Sequence, residues 1–162
     1  MFPSPPEELA QMAVSRYGEM VYRLAFSHTG SRQDADDIYQ EVFLRLVRRP
    51  NVFEDEEHLR AWLIRVTVNC CNSLWRSPWK RRTVPLSQVE ETAAADEPEL
   101  TGLTEALQRL SPKDRTVIHL FYYEDLPVAQ MSRLLGERES TIRSRLTRAR
   151  QRLKLLLEGG EA

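Results

Sequence analysis

Apolar side chains recur at spacings of three and four through two blocks of this sequence, and no segment alternates with period two for long enough to form a strand. Such a chain buries itself as packed helices. In the first block Leu9, Met12, Ala13, Tyr17, Met20, Val21, Leu24 and Ala25 mark one helix, ended by Gly30. Ser31, with Asp34 three residues on, signals a capped restart, and Ala35, Ile38, Val42 and Leu46 carry a second helix to Pro50. A third spans 56–76, with Leu59, Trp62, Leu63, Val66, Cys70 and Leu74 on one face and Pro78 just beyond it.

From Ser77 to Pro98 the periodicity vanishes, and Gln88–Pro98 holds Glu, Ala, Asp and Thr with little to bury. Leu100, Leu103, Leu107 and Leu110 resume it, and Ser111-Pro112 supplies an N-cap followed by proline at the first helical position. Val117, Ile118 and Phe121 mark the next helix, and Val128, Met131, Leu134 and Leu135 a short one closed by Gly136. Ile142, Leu146, Ala149, Leu153 and Leu156 then define a long final helix. The expected fold class is all-α: two small helical bundles over 1–76 and 99–162, joined by a flexible linker over 77–98, the second bundle containing a helix-turn-helix.

At 162 residues and 18.9 kDa, two small domains are affordable only with thin cores. No uninterrupted apolar run nears the roughly 20 residues of a membrane span, so membrane insertion is not expected. The first six residues lack the basic flank and apolar run of a secretory signal, which predicts a cytoplasmic protein. Adjacent Cys70 and Cys71 would bridge only with strain and staple no loop, so they read as reduced, partly buried thiols. His28, His58 and His119 fall on separate predicted helices with no Cys or carboxylate at metal-ligand spacing, and there is no glycine-rich phosphate loop. The sequence therefore offers no catalytic residue, no metal site and no cofactor site.

Net charge is −1, from 23 basic and 24 acidic residues, but it is unevenly spread. Residues 1–83 carry +1, 84–112 carry −5 and 113–162 carry +3. On the final helix, at 100° per residue, Leu146, Ala149, Leu153 and Leu156 fall within about 40° of Ile142. The opposite face holds Ser144, Thr147 and Gln151 at its centre, with Arg148 on one shoulder and Arg143, Arg150 and Lys154 on the other. A merely solvated helix mixes signs so that i,i+4 pairs form, whereas Glu137–Leu157 carries seven basic residues against two acidic. Small polar groups at the centre let a helix sink into a major groove while flanking arginines reach phosphate or guanine.

On the third helix, Arg65, Asn69, Asn72 and Arg76 share an arc of about 60° beside the buried stripe. Arg65 to Arg82 holds five basic residues and no acidic ones, interleaved with Trp75 and Trp79, a pairing of cations and stacking surfaces suited to single-stranded nucleic acid. Ile64, Val68, Cys71 and Trp75 form a second apolar stripe, more than one small bundle is expected to cover, so part of it is expected to meet a partner.

Three segments, Asp34-Ala35-Asp36-Asp37-Ile38-Tyr39-Gln40-Glu41-Val42-Phe43, Trp62-Leu63-Ile64-Arg65-Val66-Thr67-Val68-Asn69 and Thr141-Ile142-Arg143-Ser144-Arg145-Leu146-Thr147-Arg148-Ala149-Arg150, resemble in order and separation the extracytoplasmic-function subfamily of the sigma-70 family. These are the initiation factors of bacterial RNA polymerase. The resemblance implies that residues 1–76 form a region 2-like domain and 99–162 a region 4-like domain. It implies that Asp37, Gln40, Glu41 and Phe43 dock on core RNA polymerase; the residues alone would make those carboxylates a solvated face. It implies that Phe53, Arg65, Asn69, Asn72 and Arg76 take the melted minus-ten element, Phe53 and Asn69 lining a pocket for a flipped base, and that Arg143, Ser144, Thr147, Arg148 and Gln151 read the minus-thirty-five element of promoter DNA as duplex. An anti-sigma factor covering these faces, with the second apolar stripe as a contact, follows from the same resemblance, as does action as a monomer.

The sequence departs from the family at Glu137 and Arg138, where an apolar residue and then a Ser or Thr N-cap usually stand, so the final helix is expected to start nearer Glu139 or Ser140. There is no room for the inhibitory region or the middle domain of housekeeping sigma factors, and regulation by a separate protein is expected. The two promoter elements lie roughly 70 Å apart. The 22 linker residues reach about 73 Å fully extended but average nearer 26 Å as a relaxed coil, so the linker must be stretched. The competing reading is a conventional helix-turn-helix regulator whose first bundle senses a signal or dimerises.

Overall fold

The computed structural model describes residues 6–48, 53–76 and 102–159, with side chains from 8, to 73 in the middle stretch, and throughout the last. Every regular element among them is helical. The chain divides into two compact units near residue 90. The stretch read as a linker, with Trp79 and the basic residues 80–82, lies outside the described residues, as do the side chains of Trp75 and Arg76.

Unit 1 packs α1 (Pro6–Thr29), α2 (Arg32–Arg48) and α3 (Glu56–Arg76) against one another. Gly30 adopts φ 71°, which its missing Cβ permits, and the Gly30 N–H closes α1 on the Phe26 carbonyl at 2.7 Å. Ser31 then caps α2, its Oγ accepting from the Asp34 N–H at 3.1 Å. The reversal makes α1 and α2 antiparallel neighbours, and Gly18 lets them approach closely: a Cβ there would lie 3.1 Å from the Tyr39 hydroxyl. Asp55 caps α3 by accepting from the His58 N–H at 2.8 Å, while His58 Nδ1 accepts from the Glu54 N–H at 3.1 Å. Tyr17 donates to Glu56 and Arg16 pairs with it, tying α1 to the start of α3.

Ala13, Val21, Leu24, Ala25, Ala35, Ile38, Val42, Leu46, Leu59 and Leu63 fill the core. The second stripe of α3 is buried as well: Ile64 is 1%, Val68 6% and Cys71 0% exposed. Those three residues therefore offer no exposed partner contact, while the stripe's fourth member, Trp75, has its side chain outside the described residues. Because α3 packs on both α1 and α2, it covers a wider arc than one neighbour could. Thr67 joins this interior by donating its hydroxyl to the Leu63 carbonyl at 2.6 Å. Cys70 and Cys71 are free, buried thiols.

Unit 2 comprises α4 (Gly102–Gln108), α5 (Pro112–Ile118), α6 (Val128–Leu135) and α7 (Glu139–Leu157). Ser111 caps α5 through the Asp114 N–H at 3.2 Å with Pro112 behind it, as the sequence predicts. α5 widens into a π-helical turn over His119–Tyr123, in which the Glu124 N–H reaches back to the His119 carbonyl at 3.2 Å. His119, stacked on Tyr123 with ring centroids 5.0 Å apart, also meets Glu124 Oε2 at 3.1 Å.

Gly136, at φ 69°, ends α6, and its N–H and that of Glu137 both reach the Ser132 carbonyl. α7 begins at Glu139, where the departure at Glu137 and Arg138 predicts it; Arg138 occupies the cap position and makes no side-chain cap bond. Leu110, Val117, Leu120, Leu126, Met131, Ile142, Leu146 and Ala149 form the core. Leu103, on the periodic stripe of α4, is nonetheless 48% exposed. It lines an open groove of about 530 Å³ with Tyr122, Tyr123 and Leu157, where α4 and the end of α7 fail to close. Among the described residues no helix is long and apolar enough to cross a membrane.

Candidate nucleic-acid interface

α6, the Gly136 turn and α7 form a helix-turn-helix whose second helix shows an outer face that is polar as far as Gln151, with exposed Leu155 one turn beyond. Ile142, Leu146 and Ala149 are buried, so the opposite side faces solvent, and Arg143, Ser144, Thr147, Arg148 and Gln151 are all exposed. These are the residues that helical angle selects from the sequence. Arg143 Nη2 lies 2.8 Å from Glu139 Oε1 one turn earlier. An exposed i,i+4 pair of this kind is worth about 0.3–0.5 kcal/mol, too little to hold the guanidinium against a polyanion.

Arg150, on the same shoulder as Arg143, behaves differently. Arg150 Nε donates to the Tyr122 hydroxyl at 2.6 Å, and its guanidinium sits 5.5 Å from the Phe121 ring centroid and 5.6 Å from that of Tyr122. This arginine is docked on the π-helical turn, whose extra residue brings both rings to it. Arg145, on the same helix, turns inward: its side chain is 15% exposed and its Nη1 lies 2.6 Å from Glu137 Oε1.

On α3 of unit 1, Arg65 and Asn69 are exposed and Asn72 is half-buried, one turn apart along one face, while the side chain of Arg76 lies outside the described residues. Phe53 lies beneath this face. It is 7% exposed, its ring nearly perpendicular to those of His58 at 5.2 Å and Trp62 at 5.7 Å. Trp62, assigned by periodicity to the buried stripe, is half-buried over Phe53 and lies about 20° from Asn69 around the helix. The angle was available in the sequence; what covers Trp62 was not.

On α2, Asp37 and Gln40 are exposed, and half-buried Glu41 accepts from Arg45 Nε at 2.8 Å. Phe43 is 7% exposed, packs against Tyr39 with ring centroids 4.9 Å apart and lines the groove between α1 and α2. The apolar contacts on offer are Leu44, 49% exposed, with Val47 and Val14 each at 40%. With Gln40 and Tyr39 they line an open groove of about 550 Å³ across α1 and α2. Leu44 lies about 160° from Val42 and was legible as an apolar residue off the stripe.

Two family models match the chain: sigma-70 region 2 over residues 13–81 and sigma-70 region 4 over 100–153. Among relatives, the RNA polymerase sigma factor SigV of Bacillus subtilis is 29% identical over 138 residues, 84% of this chain and 83% of that protein. The ECF RNA polymerase sigma factor SigM of Mycobacterium tuberculosis is 31% identical over 144 residues, covering 88% and 74%. Among solved structures, the sigma factor RpoE in complex with the anti-sigma factor NepR, from Bartonella quintana, matches with a TM-score of 0.72 at 24% identity over 91% of this chain and 96% of that one. CnrH in complex with the cytosolic domain of CnrY matches with a TM-score of 0.67 at 22% identity over 96% and 91%. These two share the fold.

Proposed function

Because the chain belongs to the extracytoplasmic-function subfamily of the sigma-70 family, and so serves transcription initiation as a sigma factor, we propose how its parts divide that work. Residues 1–76 carry the region 2 role of binding core RNA polymerase and the melted minus-ten element. Residues 77–98 connect it to a region 4 role over 99–162, reading minus-thirty-five duplex. The observation that carries this assignment is the outer face of α7, where Arg143, Ser144, Thr147, Arg148 and Gln151 stand exposed opposite a buried seam, on the second helix of a helix-turn-helix.

On unit 1, Arg65 and Asn69 present a cation and an amide from adjacent turns, with Asn72 beside them and Arg76 at the helix end. Extruding a base from a duplex costs a few kcal/mol, recovered here by stacking and by hydrogen bonds to the base edge. Trp62 shares the helix face of Asn69 two turns earlier, and Phe53 buttresses it. Polymerase docking uses Asp37, Gln40 and Glu41, with Phe43 holding the groove floor beneath exposed Leu44 and Val47. The chain adds no chemistry of its own to nucleotide addition, and it acts as a monomer in the cytoplasm with its polymerase.

An anti-sigma factor is the natural inhibitor of such a chain, since the RpoE and CnrH structures of the same fold each hold a second protein, NepR described as an anti-sigma factor. The α1–α2 groove supplies an apolar contact that buried Ile64, Val68 and Cys71 of α3 do not. A conventional regulator would leave the region 2 match over residues 13–81 without a purpose. Run-off transcription with purified core polymerase and a randomised promoter library tests the assignment. The expected result is product from an enriched promoter class only when this chain is added; equal output without it overturns the proposal.

A further inference from the structure

The two residues that depart from the family at the turn have a physical role to fill. Only Glu137 and Arg138 separate Gly136 from α7, and α7 starts without a side-chain cap. Ile142 and Leu146 anchor the helix by apolar contact, which is strong but non-directional. That seam sets which face of α7 turns outward, and a directional contact is what can refine its exact rotation and tilt.

Arg145 has the geometry to do so. Its Nη1 lies 2.6 Å from Glu137 Oε1 in the turn, and its Nε lies 3.9 Å from Asp114 Oδ1 in the first turn of α5. The three side chains are 15%, 29% and 23% exposed, so the charges interact with little water between them. Glu137 is itself held at both ends of its backbone: its carbonyl accepts from the Ser132 hydroxyl at 2.5 Å and its N–H donates to the Ser132 carbonyl at 3.2 Å. A planar guanidinium between carboxylates on two other elements is directional where apolar packing is not.

We infer that Arg145 is a positioning residue, which through Glu137 and Asp114 sets the angle at which α7 presents Arg143, Ser144, Thr147 and Arg148 to duplex DNA. This rests on the reading of unit 2 as the duplex-binding module. Arg145 touches no base; it takes the place of an apolar plug and a capped helix start. Loss of the pair blurs base discrimination while leaving the phosphate-contacting cations, and hence the salt dependence, in place.

The test uses holoenzyme, formed from core polymerase and the full chain, selecting promoters from a library randomised at the upstream element. Parent protein enriches a defined upstream sequence. Glu137→Gln and Arg145→Lys each reduce that enrichment by about tenfold, and the double variant loses no more than the worse single, because the residues act as one unit. Leu120→Ala, which opens the unit 2 core at a residue with no part in the pair's hydrogen bonds or ion pairs, lowers melting temperature without flattening the preference of the bound fraction. Unchanged enrichment in Glu137→Gln and Arg145→Lys, or fully additive losses in the double variant, overturns the inference. No upstream enrichment by the parent overturns instead the duplex-reading assignment.

Discussion

Arg148 and Asn69 stand on the outward faces of their helices, so either can be truncated without opening a core. Arg148→Ala should lower use of the upstream element about tenfold or more, the cost of one good base contact, while unfolding midpoints stay put; competition binding of holoenzyme to promoter duplexes measures it. Asn69→Ala should change which base is preferred in the melted element. A fall in thermal stability alone, with preference intact, would remove Asn69 from the site. The thiols make the opposite case. Burial pushes both Cys70 and Cys71 above the ordinary thiol value of 9, with Arg45 pulling Cys70 only partly back. Native protein at pH 8 should therefore react with iodoacetamide at least about tenfold more slowly than urea-unfolded protein. The neutral thiols favour the folded state below that value, and the advantage fades as pH rises past it; equal alkylation rates would put the thiols at the surface.

At the scale of the element, the two helix starts of unit 2 differ in a way that stability measurements resolve. Ser111 satisfies an orphan N–H of α5 with its hydroxyl, whereas Arg138 does nothing comparable for α7. Ser111→Ala should cost about 1 kcal/mol of unit 2 stability, and Arg138→Ser should add about 0.5–1 kcal/mol by installing the missing cap. Thermal or urea unfolding reads both; no gain from Arg138→Ser would mean that the Glu137 and Arg145 contacts already satisfy that turn. The caps at Ser31 and Ser111 were legible because capping is a local pattern of residue types. The π-helical turn was not, since no residue type announces an extra residue in a turn, and with it went the docking of Arg150 on Phe121 and Tyr122.

For the whole molecule, the proposed connection over 77–98 predicts a limit on which promoters can be used. Its 22 residues span about 73 Å at full extension, barely more than the roughly 70 Å between promoter elements. Removing eight of them should abolish upstream-element dependence while leaving polymerase binding and minus-ten preference intact, as run-off transcription on paired templates would show; retained dependence would refute a taut connection. Helix periodicity alone determined that the chain is all-α and which residues face outward on α7, because an apolar stripe is an angular property of one helix and reads directly from spacing. It was blind to what lies against a stripe. That α3 is covered on two sides, that Phe53 and Phe43 pack against neighbouring rings, and that Arg145 points at Glu137 while Arg148 does not, are matters of where other elements stand, and contacts between residues distant in sequence exist only once the helices have packed.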